Sequence, residues 1–405
     1  MKTALLLRCG GIGDILILTP IAKALHQKGY LVDYWCGSPS GPVFEMLKGL
    51  PYLNDVKEIQ RVAGVHDCIK DEDENYITVE MLKSKYDEVF DFKYSVEDNF
   101  VGLNKRDEWR RTINSNYQNW IDLSLSWANI DPMKVSAFNK CPEIILEQKY
   151  IDWAQDKTPV QNKLNGRQFN VIGIQPQAST LIRTLYHAEN LPELIHKKYP
   201  NDIVVIFAGK WICITPNGRQ TVEVPDGYNP LLCSAALIAQ MNCFISVDSG
   251  SSHIGEAVKT PTIGIYTTVP AWTRTKYYQY SYAIEANPEC FPCFTLDVVC
   301  PIEKKKAEDS LTEREKDILD GAKTNKNPMD YAKKYNVPPK AIELEYNSMM
   351  QRLQAISTTE PACVRSITDK MILDKLDEVL SSVHQQSKAK ILEFHEQVMV
   401  IDSHD

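Results

Sequence analysis

Apolar and polar positions fall in blocks along this chain, and the blocks repeat one rhythm twice. Thr3 to Leu7 is a short unbroken apolar run, the pattern of a strand buried on both faces of a parallel sheet. The turn Arg8-Cys9-Gly10-Gly11-Ile12-Gly13-Asp14 follows, and apolar residues at helical spacing then run from about Ile15 to Lys28. Leu31 to Trp35 predicts a second strand, closed by Gly37-Ser38-Pro39, with further strands at Tyr52 to Gln60 and Glu88 to Phe92. The acid-rich stretch from Asp67 to Asn75 reads as a surface loop. Trp109, Trp120 and Trp127 sit at helical spacing, which is more often core than a sugar platform. A crossing between domains is expected within Lys149 to Arg167, which carries Pro159, Asn165 and Gly166. The rhythm then restarts with a strand at Phe169 to Ile174, a polar loop from Gln175 to Arg183 and a helix from Ala188 to Tyr199. A strand at Asp202 to Ala208 and a helix at Cys233 to Gln240 follow.

The stretch from Ile245 to Tyr266 organises the second half. An apolar run from Cys243 to Val247 stops at Asp248-Ser249-Gly250, an Ala/Val helix covers Ser251 to Val258, and a strand runs from Thr262 to Tyr266. The turn therefore lies at the carboxyl end of a strand, where open α/β sheets place ligands. A helix start there offers free N–H groups and a positive dipole end, which suits phosphate. Gly250 permits close backbone approach, Ser249, Ser251 and Ser252 add hydroxyls, and His253 lies one turn into the helix. The bland alternative is a βα turn capped by Asp248, with His253 a partly buried spectator. Asp14 also has two readings: a residue charging the first helical turn, or a carboxylate at the sheet rim where chemistry occurs. The opening glycines lack the Gly-x-Gly-x-x-Gly spacing, so a dinucleotide site is poorly supported.

Composition narrows the class. The 405 residues are 43% hydrophobic and 24% charged, enough for two domains with substantial cores. No apolar run approaches the ~20 residues that span a bilayer. Arg8 interrupts the N-terminal apolar run after four residues, so it reads as a strand and not as a signal peptide, and the expected location is cytoplasmic. A net charge of −8 argues against a protein that coats nucleic acid or anionic membrane. Eleven cysteines point to reduced thiols with one metal site at most, not to a disulfide framework.

Three segments resemble one family. The stretch from Arg8 to Asp14, followed by Leu18-Thr-Pro-Ile-Ala-Lys-Ala-Leu, is similar to the start of the ADP-heptose:lipopolysaccharide heptosyltransferases, glycosyltransferase family nine. Asp248-Ser-Gly-x-x-His253 resembles that family's Asp-Thr-Gly-x-x-His motif, and Cys290-Phe-Pro-Cys293 with Cys300-Pro resembles a downstream cysteine segment. The resemblance implies an α/β fold of the GT-B type, two Rossmann-like domains facing across a cleft. It assigns 1–155 to an acceptor-side domain, and 165–300 with 361–382 to a nucleotide-sugar-binding domain. Residues 383–405 would form a last helix packing back on the first domain. It also implies an inverting, metal-independent transfer from a nucleotide-diphospho-sugar. Asp14 would be the base, and Gly13, Ser179, Arg183, Asp248, Ser249, Gly250 and His253 would hold the donor. Where family members have a lysine four residues after a serine, Ser179 is followed by Arg183, whose guanidinium can hold a diphosphate in a fork.

Between Cys300 and Cys363 the pattern changes. Helices are expected from Leu311, at Met329 to Tyr335 and at Pro339 to Ala355, a three-helix insertion at 302–360 with helix-turn-helix rhythm. Its acids include Glu343 and Glu345 on the would-be recognition helix, which phosphates would repel. It reads first as a protrusion for self-association or acceptor docking, and second as a nucleic-acid contact. Cys290, Cys293, Cys300 and Cys363 are candidate ligands of a structural zinc or iron ion, with free thiols as the alternative. No cofactor is expected in the catalysis itself. The expected acceptor is a cell-surface glycan or protein. Two alternatives remain at this stage, transfer to a modified DNA base and a non-catalytic binding module.

Overall fold

The computed structural model describes residues 1–62, 68–93, 119–158, 169–208, 210–215, 218–293, 300–323, 328–357 and 360–383. Its first sheet is built from β1 (Lys2–Cys9), β2 (Tyr30–Gly37), β3 (Asp55–Glu58) and β7 (Glu88–Asp91), ordered β3-β2-β1-β7 and parallel throughout. Ala4, Leu5, Leu6 and Leu7 are fully buried, as a strand covered on both faces requires. The apolar run after the first turn is broken into two helices, Ile12–Leu16 and Thr19–Gln27. Pro20 lies in the first turn of the second and lacks the N–H that a continuous helix would need. The acidic stretch near 67–75 is not a plain loop. β4 (Gln60–Arg61), β5 (Cys68–Lys70) and β6 (Tyr76–Thr78) form a small antiparallel sheet there.

The second sheet has seven strands: β8 (Val171–Gln175), β9 (Ile203–Ala208), β10 (Lys210–Thr215), β11 (Gly218–Val222), β12 (Cys243–Val247), β13 (Thr262–Tyr266) and β14 (Ser281–Glu285). Their order is β11-β10-β9-β8-β12-β13-β14, parallel except at one edge, where β10 runs antiparallel to both β9 and β11. The two sheets form two lobes that share apolar contact. Trp153 of the helix Gln148–Lys157 packs on Trp211 of β10, and Tyr150 packs edge-on against Tyr228. The Tyr150 hydroxyl also accepts from the Asn229 N–H, and the Asn229 side chain donates to the Pro42 carbonyl and to Glu45 in the first lobe.

Residues 301–357 hold four helices and not three: Pro301–Asp309, Glu313–Lys323, Pro328–Lys334 and Pro339–Ser357. The unforeseen first helix continues directly from Cys300, with Pro301 in its first turn. These helices bury their apolar faces on one another, Ile318 with Tyr331, Ala332 and Ile342, and Leu311 and Leu319 with Met349. A last described helix, 369–383, packs Ile372, Leu376, Val379 and Leu380 onto the second sheet. Of the expected crossing from Lys149 to Arg167, residues 149–157 belong to the helix Gln148–Lys157 and 159–167 lie outside the described residues, as do Trp109 and the expected terminal helix beyond 383. No helix among the described residues is long and apolar enough to cross a membrane.

Candidate active site

The carboxyl ends of β1 and β12 meet across the cleft, and each delivers a glycine turn and a helix start. Asp14 is the third residue of the helix Ile12–Leu16. One carboxylate oxygen accepts from the Gly11 N–H at 2.9 Å, and the other lies 2.9 Å from Arg8 Nη2. Arg8 is buried and donates from Nη1 to the Phe92 carbonyl at 2.8 Å, which fixes its direction. Burial alone would raise the Asp14 pKa. Arg8, the Gly11 N–H and Arg274 outweigh it and hold the carboxyl below its ordinary range. Asp14 thus completes the capping box of its helix and also lines a cavity of about 560 Å³.

The facing wall is the start of the helix Gly250–Ala257. Its N-cap is Ser249, which makes no side-chain capping bond. Asp248 is thus not the cap that the sequence suggested. It is buried, and its carboxylate faces two guanidiniums, Arg183 at 3.7 Å and Arg274 at 4.0 Å. Arg183 is oriented by its own loop. Nη2 donates to the Ser179 hydroxyl at 2.9 Å, Nε to Thr180 at 3.0 Å, and Nη1 to the Asp248 carbonyl at 3.2 Å. Ser249 and Ser251 line the cavity, whereas Ser252 is buried and donates to the Ser249 carbonyl at 2.8 Å. That removes Ser252 from the expected hydroxyl donors.

His253 joins the two walls. Its Nδ1 lies 2.5 Å from the Tyr278 hydroxyl, and burial pushes its pKa down to about 4, with Arg274 adding to the depression against the pull of Asp248 and Asp14. Burial also raises the Tyr278 pKa, so the phenol keeps its proton. The tautomer in which Tyr278 donates to Nδ1 leaves Nε2–H as a donor. The ring packs directly on the first lobe. A methyl group on Gly13 would lie 2.5 Å from His253 Cδ2, and one on Gly250 would lie 2.7 Å from Ile12 Cβ. Only glycine fits at either position with the lobes so close.

All eight residues expected to bind donor or proton come together: Gly13, Asp14, Ser179, Arg183, Asp248, Ser249, Gly250 and His253 line the one cavity. Sequence reasoning missed Arg274 and misassigned Trp120. Both line the same cavity, with the Arg274 guanidinium carbon 3.1 Å from the Trp120 ring centroid. Trp120 is thus a wall of the site and not simply core. Trp127 does pack as expected, stacked on Phe92. The available signal for Arg274 was an arginine in the short helix Trp272–Thr275 that follows the buried strand β13 at the sheet's carboxyl end.

The cysteines lie apart from this cavity. Cys363 is buried and its pKa is pushed up to about 12, first by burial and then by Cys293, Cys300 and Cys290, so the four thiols are neighbours. Among the described residues, no three His, Cys, Asp or Glu side chains are grouped so as to hold a metal ion.

Two α/β lobes with a sugar-nucleotide-sized cavity between their glycine turns define a protein of the GT-B class. The sequence model of glycosyltransferase family 9 (heptosyltransferase) matches residues 230–303, the segment that carries Asp248, Gly250 and His253. Over that segment the chain resembles the heptosyltransferase-like glycosyltransferases of that family. A solved structure of a family 9 glycosyl transferase from Veillonella parvula shares the fold, at 11% identity and a TM-score of 0.51, over 94% of this chain and 97% of that one. Two others are similar at lower TM-scores. The ADP-heptose lps heptosyltransferase II of E. coli is 13% identical with a TM-score of 0.42, covering 71% of this chain and 91% of that one. The iron-containing dodecameric glycosyltransferase TibC of enterotoxigenic E. coli is 13% identical with a TM-score of 0.42, covering 72% of this chain and 64% of that one. No curated protein matches in sequence.

Proposed function

We propose that this protein is an inverting glycosyltransferase that takes a sugar from a nucleotide-diphospho-sugar and delivers it to a hydroxyl of an acceptor glycan or protein. The observation that carries the reading is the shared cavity: an ionised carboxylate, Asp14, faces an uncapped helix start and the Arg183 guanidinium across a closed cleft. In this reading the donor's diphosphate lies on the N–H groups of Ser249 and Gly250, with Arg183 held in place by Ser179 and Asp248. Arginines and a helix dipole then supply the positive charge, and the reading needs no divalent ion in the reaction.

The step balances as a single displacement. The acceptor oxygen forms a bond to the anomeric carbon while the bond from that carbon to the diphosphate oxygen breaks. Its electron pair goes to the leaving diphosphate, and the acceptor proton goes to Asp14. A carboxylate held at low pKa is a weak base, but the attacking hydroxyl becomes strongly acidic as its new bond forms. We assign donor binding to the second lobe, the base to the first, and acceptor selection to the helical segment 302–360. The test is thermal unfolding against a panel of ADP-, UDP- and GDP-sugars. A true donor at 100 times its dissociation constant adds about 2.7 kcal/mol of stability. A panel in which no nucleotide-sugar raises the midpoint sinks the reading.

A further inference from the structure

The cavity's wall includes a second guanidinium, and the lobe opposite holds it there. Arg274 belongs to the second lobe, yet its side chain is only 8% exposed and its guanidinium carbon sits over the Trp120 ring of the first lobe, 3.1 Å from the ring centroid. Arg274 Nε faces the Asp248 carboxylate at 4.0 Å, on the side away from Arg183. One carboxylate thus aims two arginines into one cavity.

The grip on Arg274 comes from consecutive first-lobe residues. Asn119, the N-cap of the helix Trp120–Trp127, donates its side-chain amide to the Trp272 and Thr273 carbonyls at 3.0 and 3.2 Å. One turn on, Asp122 accepts from the Tyr277 hydroxyl at 2.6 Å and from Lys140 at 2.7 Å, and Lys140 also donates to Tyr277 at 3.0 Å. The segment 272–278 is therefore clasped by the first lobe at both ends, with Arg274 between the clasps. The charges leave room for an anion. Three guanidiniums (Arg8, Arg183 and Arg274) stand against two carboxylates, with Arg8 already committed to Asp14.

We propose that Arg274 is a catalytic residue that, with Arg183, neutralises the diphosphate as it leaves, and that Asn119 and Trp120 are positioning residues that set it there only when the lobes are closed. This rests on the donor reading above. As the bond from the anomeric carbon to the phosphate oxygen breaks, the electron pair arrives on an oxygen facing Arg274. Placed donors aimed at developing charge are typically worth 10²–10³ in kcat. A planar guanidinium over an indole ring is also a contact that a lysine ammonium does not reproduce.

The experiment uses the full chain with Arg274→Ala, Arg274→Lys and Trp120→Leu, each first shown to unfold cooperatively at a midpoint near the parent's. Binding of ADP, UDP and GDP is measured by calorimetry. Slow release of nucleoside diphosphate from the sugar-nucleotide that stabilises the parent is then followed with and without millimolar guanidinium. Expected are a loss of about 10²–10³ in kcat for Arg274→Ala, partial rescue by guanidinium, little recovery in Arg274→Lys, and a smaller loss without rescue in Trp120→Leu. A purely structural arginine would not be rescued by a free guanidinium ion. A parent that binds no nucleoside diphosphate overturns the donor reading and this inference with it. A parent that binds and turns over, beside an Arg274→Ala variant that matches it, overturns this inference alone.

Discussion

Arg8 Nη2 lies 2.9 Å from the Asp14 carboxylate, and both side chains arise from one strand–turn unit, Arg8 from β1 and Asp14 three residues past the N-cap Gly11. Burial of Asp14 would favour the protonated acid, and the Arg8 cation more than reverses that together with the Gly11 N–H and Arg274. The folded pKa therefore lies below the unfolded value of about 3.9. The pair stabilises the fold above that unfolded value and loses its contribution as pH falls through the folded one. Replacing Arg8 by Met leaves burial less opposed, so the acid limb of the kcat/KM profile should move up, by about one unit or more. A pH–rate series on parent and variant reads this directly, and an unmoved limb would show that Arg8 does not tune Asp14.

His253 should imprint a different pH dependence, on stability. Its folded pKa of about 4, set first by burial, lies below the unfolded value of about 6.5. Between those values the unfolded chain takes up a proton that the folded chain refuses, so stability falls as pH drops from about 6.5 towards 4. His253→Gln should flatten that part of the curve. Urea unfolding of both proteins at pH 7 and pH 5 supplies the comparison, and equal slopes would contradict a buried, neutral His253.

Gly13 should respond against helix propensity. Ala normally stabilises a helix interior by about 1 kcal/mol over Gly, but a methyl group here meets the His253 ring at 2.5 Å. Gly13→Ala should push the lobes apart and lower turnover by about 10²-fold, the cost of misplacing reacting groups by an ångström. A variant as active as the parent would mean that the contact between the two turns plays no part in the chemistry.

How much of this was legible depended on whether a contact was local. The turn at Asp248 to His253 could be read because strand, glycine and helix follow within a dozen residues, each with its own pattern. The Ser179–Arg183 pair came from the family resemblance and not from any local pattern, and the structure has Arg183 donating to Ser179. Trp120 and Arg274 are 154 residues apart, and nothing in either segment's periodicity announces that a guanidinium will lie on that ring. The capping role given to Asp248 failed because two arginines from elsewhere in the chain compete for its carboxylate. The edge strand β11 escaped notice because four of its five residues, Gly218 to Thr221, are exposed and polar or glycine, so no apolar run marks it.

The helical segment should be separable from the fold. Its apolar residues pack on one another, and Glu303 at its start lies 4.0 Å from Arg365 beyond its end. Deleting 304–358 and joining the ends with a short flexible linker closes a small loop at little entropic cost. The shortened protein should keep cooperative unfolding and nucleoside-diphosphate binding while losing transfer to the natural acceptor. Loss of folding would show that the segment belongs to the core of the second lobe.

If Asp14 serves the chemistry while the other lobe holds the donor, Asp14→Asn separates the two. The substitution keeps shape and hydrogen-bonding capacity but removes the charge that takes the proton. The direct measurement pairs transfer rate with calorimetric affinity for the nucleoside diphosphate in parent and variant. The account predicts a fall in kcat of about 10²–10⁴-fold with affinity within a few-fold of the parent. Retained transfer in the Asn variant, or a loss of affinity as large as the loss of rate, would contradict it.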